Sequence, residues 1–126
     1  MKKLLLMVIL FIQFGCNDTI GSDDVMELTS LDFIILEREV TNTAMIVQGT
    51  VLNTGSVKVS SPWYVEGMFY SDSNYTTIFG GENERKNFPL ESGVSTSWIL
   101  SFSSDDIIES NYPEFGFKNL RGYINN

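Results

Sequence analysis

At 126 residues the chain has the length of one ordinary domain, enough to bury a core of its own without metal or cross-links. It carries 16 Asp and Glu against 8 Lys and Arg, with one Cys and no His. Nucleic acid requires clustered cations that are missing here, a lone thiol forbids an intrachain disulfide, and the lack of His removes Ser-His-Asp and Cys-His catalysis together with His-based or Cys-based zinc sites.

The chain opens on Lys2 and Lys3, an unbroken apolar run from Leu4 to Ile12, and then Gln13, Phe14, Gly15 and Cys16. A positive end, an apolar stretch and a small residue are the layout of an export signal. As a helix the run would rise only about 14 Å, at roughly 1.5 Å per residue, against the roughly 30 Å of a bilayer core. Residues 1–15 are therefore expected to be a cleaved signal peptide. Gln13-Phe14-Gly15-Cys16 resembles the lipobox of bacterial lipoproteins, in which a diacylglycerol is attached to the cysteine thiol and the new amino terminus is often acylated as well. Gly15 and Cys16 match that pattern, whereas Gln13 stands where Leu is usual and Phe14 is bulkier than usual. The resemblance implies lipid on Cys16 and a place in the bacterial cell envelope, in the outer membrane on its periplasmic or its surface face. Two or three acyl chains, at about 0.8 kcal/mol per buried methylene, anchor stably where one would be marginal. Cleavage would leave Arg38, Lys58, Arg85, Lys86, Lys118 and Arg121 scattered among the carboxylates, so attraction to anionic headgroups cannot replace the lipid.

Residues 16–27 are polar and acidic, too poor in apolar groups to pack, and are expected to form a flexible tether. Asp23, Asp24 and Glu27 resemble acidic tracts that follow the cysteine in some surface-exported lipoproteins of Gram-negative bacteria. Asp18-Thr19-Ile20 resembles a short O-glycosylation site of some of those lineages. A solvated linker that no receptor reads accounts for the same residues.

Over residues 28–126 the apolar pattern has period two, the mark of strands with one buried face. Leu31, Phe33 and Ile35 alternate with Asp32; Met45, Val47, Gly49 and Val51 alternate with Ile46, Gln48, Thr50 and Leu52. Asn53 to Ser56 reads as a turn. Pro62 suits a strand start, and from there Trp63, Val65, Gly67 and Phe69 share one face, with Tyr64, Glu66, Met68 and Tyr70 on the other. A turn at Ser71 to Asn74 leads to a short strand from Tyr75 to Phe79 and a charged loop from Gly80 to Asn87. Val94, Thr96, Trp98, Leu100 and Phe102 alternate most clearly. Ser104, Asp105 and Asp106 could cap one helical turn carrying Ile107 and Ile108, and Phe115 and Phe117 open a last strand running to about Ile124. About seven short strands with no sustained helical period predict an all-β fold of two packed antiparallel sheets, with Trp63 and Trp98 in the core.

The stretch Ile46-Val-Gln-Gly-Thr-Val-Leu-Asn-Thr-Gly55 resembles the x-V-x-G-x-V-x-N-x-G strand and turn of FxLyD-like, immunoglobulin-type domains of exported bacterial proteins. Leu90-Glu-Ser-Gly93 resembles their later L-x-x-G turn. The similarity covers about residues 28 to 124 and departs at the naming motif: aligned on Tyr70, Gly67 stands in place of Phe and Ser71 in place of Asp, with Asp72 one residue on. It implies an immunoglobulin-like antiparallel β-sandwich and supplies no catalytic residue to transfer.

Carboxylates could still pair for glycosidase chemistry, as Glu82 with Glu84 or Asp105 and Asp106 with Glu109, but such close neighbours in polar loops are ordinarily solvated charge. The second group also lacks the alternating oxygen ligands and central Gly of a calcium loop, and Gly80-Gly81 lacks the Lys-Ser or Lys-Thr of a phosphate loop. No catalytic residue, metal site or cofactor is expected. The chain reads as a non-enzymatic interaction or structural module, held at a membrane through Cys16 and meeting an envelope protein rather than nucleic acid. Binding of carbohydrate or another small ligand through exposed aromatics is one alternative, and an accessory or inhibitor subunit of an envelope complex is another. With Trp63, Val65 and Phe69 inward, Tyr64, Met68 and Tyr70 lie on the opposite face, and Tyr75 on the next strand extends the group into a candidate partner surface. A covering loop, Gly80 to Asn87 above all, would bury these residues instead.

Overall fold

The computed structural model describes residues 25–125; the signal peptide, Cys16, Asp18-Thr19-Ile20 and the tether before Val25 lie outside the described residues. Seven strands follow one another: β1 (Val25–Leu28), β2 (Leu31–Val40), β3 (Ala44–Asn53), β4 (Trp63–Tyr70), β5 (Ile78–Lys86), β6 (Ser95–Ser103) and β7 (Gly116–Asn125). All pair antiparallel, in a four-stranded sheet ordered β1-β7-β4-β5 and a three-stranded sheet ordered β2-β3-β6. The result is the all-β sandwich that the alternation predicts, with four strands against three. The first strand, β1, forms one edge of the four-stranded sheet, beside the last strand, β7.

Alternation decides what goes inside. Met45, Val47 and Val51 of β3, Trp63, Val65 and Phe69 of β4, and Trp98 and Leu100 of β6 are buried. Both tryptophans are core residues, as expected. Phe33 meets Trp98 edge-on at 6.2 Å, Trp98 stacks on Phe117 at 6.3 Å, and Phe117 meets Phe69 edge-on at 5.1 Å, so one chain of rings joins the sheets. Gly67 makes room for it, since a Cβ there would strike the Phe117 ring. Burying each large apolar side chain contributes roughly 1.5–3 kcal/mol.

Gly49 serves a second close approach. Ile35 pairs with Gly49 and Glu37 with Gln48, leaving Leu36 as the extra residue of a β-bulge. A Cβ on Gly49 would run into the Ile34 carbonyl oxygen. The two turns that carry the family resemblance are tied together by Asn53, which is fully buried. Its Nδ2 donates to the carbonyls of Val57 at 2.9 Å and Leu90 at 3.0 Å, and its Oδ1 accepts from the Gly55 amide at 2.9 Å. Its backbone amide donates to the Val94 carbonyl and its carbonyl accepts from Gly93.

Three expectations are corrected. Val25 to Glu27, assigned to the tether by polarity, belong to β1: Val25 pairs with Asn125 and Glu27 with Tyr123, so backbone pairing outweighs composition. Gly80 to Asn87 is not a loop, and the strand expected at Tyr75 to Phe79 starts later, because β5 spans Ile78–Lys86. The charges of β5 disguised it: at this sheet edge Glu84 Oε1 accepts from the Ile99 amide at 2.9 Å and Lys86 Nζ donates to the Ser97 carbonyl at 2.6 Å. Finally, the expected helical turn at Ile107 and Ile108 is displaced to a 3-10 turn at Glu109–Asn111, and Ile107, just before it, is buried in the core.

Candidate functional site

The outer face of the four-stranded sheet carries the residues singled out by sequence. β4 supplies Tyr64, Glu66, Met68 and Tyr70 along its centre. Register places Arg85 and Tyr123 on either side of Tyr64, Asn83 and Arg121 beside Glu66, Gly81 and Lys118 beside Met68, and Ile78 and Gly116 beside Tyr70.

Two clusters result. At one end Tyr64 stacks on Tyr123 with centroids 5.1 Å apart and planes 11° apart. Arg85 covers the pair from one side, 5.9 Å from the Tyr64 ring, and its Nη1 donates to the Tyr64 hydroxyl at 3.3 Å. Arg121 lies 5.2 Å from the Tyr123 ring and is itself held by Glu66 at 3.1 Å and Glu27 at 3.5 Å. Burial pushes the Tyr123 hydroxyl above its ordinary pKa, the Glu66 charge adds to the effect, and Arg121 opposes it.

At the other end Tyr70 and Tyr75 meet edge to face at 5.1 Å, with the Lys118 ammonium 4.1 Å from the Tyr75 centroid and 5.2 Å from that of Tyr70. Tyr75 sits in the turn before β5, not on a strand, and its φ of 60° is a conformation that an aromatic residue adopts only when its surroundings impose it. Asp72 imposes it. Its Oδ1 accepts from the Thr76 amide at 3.1 Å, the Thr76 hydroxyl at 3.0 Å and the Asn74 amide at 3.0 Å, while its carbonyl accepts from the Tyr75 amide at 2.9 Å. The bonds from Thr76 hold the Asp72 carboxyl below its ordinary value.

Tyr64 and Tyr70 are thus separated by about 20 Å, at roughly 3.3 Å per residue along one strand. Of the four residues chosen from sequence, only Tyr70 and Tyr75 come together; Tyr64 pairs elsewhere, and Met68 lies half-buried between the clusters. β5 runs beside the face and does not fold over it. No protein-family model, curated protein or solved structure matches the chain. The roles of these residues therefore follow from their geometry alone.

Sequence reasoning missed Arg85, Lys118, Arg121 and Tyr123. Simple alternation from the inward Phe117 would turn Lys118, Leu120 and Gly122 outward. A bulge intervenes: Glu66 pairs with Arg121 but Met68 with Lys118, so Arg121 and Tyr123 face out instead. Asn119, at φ 62°, makes the bulge, and an Asn in a strand was the one available signal. Glu84 is engaged with Ile99 and Lys86, and among the described residues no group of three or more His, Cys, Asp or Glu is placed to hold a metal ion.

Proposed function

We propose that this chain is a lipid-anchored, non-enzymatic interaction or structural module of the bacterial cell envelope, with a domain of the FxLyD-like immunoglobulin type. The lone Cys16 behind an export-signal layout supports the anchor. Eight residues separate it from β1, so at no more than about 3.6 Å per residue the domain stays within roughly 30 Å of the membrane. Gly49, Asn53, Gly55, Leu90 and Gly93, which carry the family resemblance, support the domain type because each holds a bulge or turn of this sandwich together.

The interaction reading rests on one observation: Tyr75, 40% exposed, is displayed beside Tyr70 and Lys118 on a turn that Asp72 fixes. A rigid tyrosine with a cation at its side is a typical element of protein contact surfaces. Arg85, Arg121 and Lys118 already occupy ring faces across this sheet, which favours protein contact over the stacking of a neutral sugar. Two measurements test the proposal. The wild type should incorporate labelled palmitate and partition into detergent, whereas Cys16→Ala should do neither. Cross-linking in intact envelopes should give one dominant protein adduct that Tyr70→Ala with Tyr75→Ala removes at an unchanged circular dichroism spectrum; equal palmitate labelling, or an unaltered adduct, would refute the corresponding half.

A further inference from the structure

The outer face of the three-stranded sheet differs from its counterpart. Its outward residues are Asp32, Ile34, Glu37 and Glu39 on β2, Ile46, Gln48, Thr50 and Leu52 on β3, and Ile99 on β6, amid a row of serines. Antiparallel sandwiches ordinarily turn polar residues outward, yet Ile34 is 52% exposed, Ile99 46% and the bulged Leu36 68%. Between Leu36 and Ile99 lies an open depression of about 330 Å³, floored by Gln48 and Thr50 and edged by Glu37 and Ser97. Gln48 Nε2 donates to Glu37 Oε1, fixing that rim. The bulge that re-aims Leu36 depends on Gly49, so a glycine and an irregular strand are spent on putting a leucine into water.

Charge decides what fits. Among the described residues no strand of this sheet turns a Lys or Arg outward: Arg85, Lys118 and Arg121 lie on the opposite face, Lys86 lies between the sheets, Arg38 reaches the Phe115 carbonyl, and Lys58 belongs to no strand. Asp32, Glu37 and Glu39 form an acidic margin along β2. A second copy laid face to face would bring two such margins together with no cation to offset them, and anionic lipid would be repelled. The bulge also spoils β2 as an edge for adding a strand.

We propose that this face docks a protein segment that places an apolar side chain between Leu36 and Ile99 and sets Lys or Arg against Asp32, Glu37 and Glu39. The inference rests on the interaction-module reading and assigns a second surface to it, with a partner of defined chemistry. It is tested by panning a random-peptide phage library on the full lipidated chain in detergent, then measuring the selected peptides on variants of each face. Apolar peptides flanked by Lys or Arg should emerge. Their affinity should drop at least about tenfold for Leu36→Glu and for Ile99→Ser, fall with rising salt, and survive Tyr70→Ala, with every variant keeping its β-type circular dichroism spectrum. Selected peptides that respond only to Tyr70→Ala would overturn this assignment while leaving the interaction-module reading intact. So would failure to select any peptide beside an intact envelope cross-link, a concentration-dependent dimer abolished by Leu36→Glu, or Leu36-dependent binding of phosphatidylglycerol vesicles by a Cys16→Ala chain.

Discussion

Lys86 of β5 donates from its Nζ to the Ser97 carbonyl of β6 at 2.6 Å, joining the edge of one sheet to the edge of the other. Beside it Glu84 accepts from the Ile99 amide and pairs with Lys86 at 3.2 Å. Two backbone groups on an exposed edge, where a foreign strand could pair, are thus occupied by side chains of the same molecule. Lys86 is only 6% exposed, so its loss is not cushioned by water. Lys86→Met should lower stability by about 2 kcal/mol, within the usual range for a hydrogen bond to a charged group. Denaturant titration measures it, and an unchanged midpoint would mean that the bridge contributes nothing to closing this side.

A second corner depends on Asn53. Its amide both donates and accepts, satisfying the carbonyls of Val57 and Leu90 and the amide of Gly55 in a site closed to solvent. Asn53→Ala should cost about 3 kcal/mol, since buried groups left without partners lose roughly 1–3 kcal/mol each, partly relieved by entering water. Asn53→Asp should be worse near neutral pH despite its equal size. A carboxylate cannot donate to two carbonyls, and its charge would be buried among them. Thermal melts of the two variants give the order, and a more stable Asp variant would contradict this hydrogen-bonding pattern.

How far the sequence could be read depended on whether side chains or backbone carried the information. β3, β4 and β6 were legible because Met45 to Val51, Trp63 to Phe69 and Trp98 to Phe102 alternate cleanly between core and outside. β5 was not, because Glu84 and Lys86 occupy its inward positions and make polar bonds there. β1 was hidden by its acidic neighbours, its place being set by pairing with β7. At the candidate site, Tyr64, Met68 and Tyr70 were assigned to the correct face from period two. Their cationic and aromatic neighbours were out of reach because the Asn119 bulge shifts the phase of β7.

The Asp72 turn gives a prediction at acid pH. Hydrogen bonds from Thr76, strongest among its contacts, favour the charged carboxylate and lower its folded-state pKa below the ordinary 3.8. The turn's contribution is therefore fully present above pH 3.8 and is lost as pH falls through the folded value. Carboxyl resonances followed by NMR should give Asp72 a midpoint below that of the unfolded chain, and Thr76→Val should raise it. Thr76→Val keeps the backbone donor and removes the hydroxyl, so only part of the shift should disappear.

Tyr123 supplies the alkaline counterpart. Its hydroxyl is held above the ordinary 10.0, first because the residue is buried and then because the Glu66 charge lies nearby. An unfolded chain ionises this tyrosine at its ordinary value, so above pH 10 the unfolded state binds fewer protons than the folded one and stability falls as pH rises. The contribution is intact below pH 10 and is lost progressively as pH rises from there through the folded value. Replacing Tyr123 by Phe preserves the stack on Tyr64 and removes the ionisable group, so the Phe variant should melt less steeply with pH above 10 than the wild type. Glu66→Gln should reduce the same slope by removing the second cause, although it also releases Arg121 from one of its two carboxylates. Tyr75→Phe is the control, because that ring is 40% exposed and belongs to the other cluster, beside Tyr70. Equal alkaline slopes for wild type and Tyr123→Phe would place the loss of stability elsewhere.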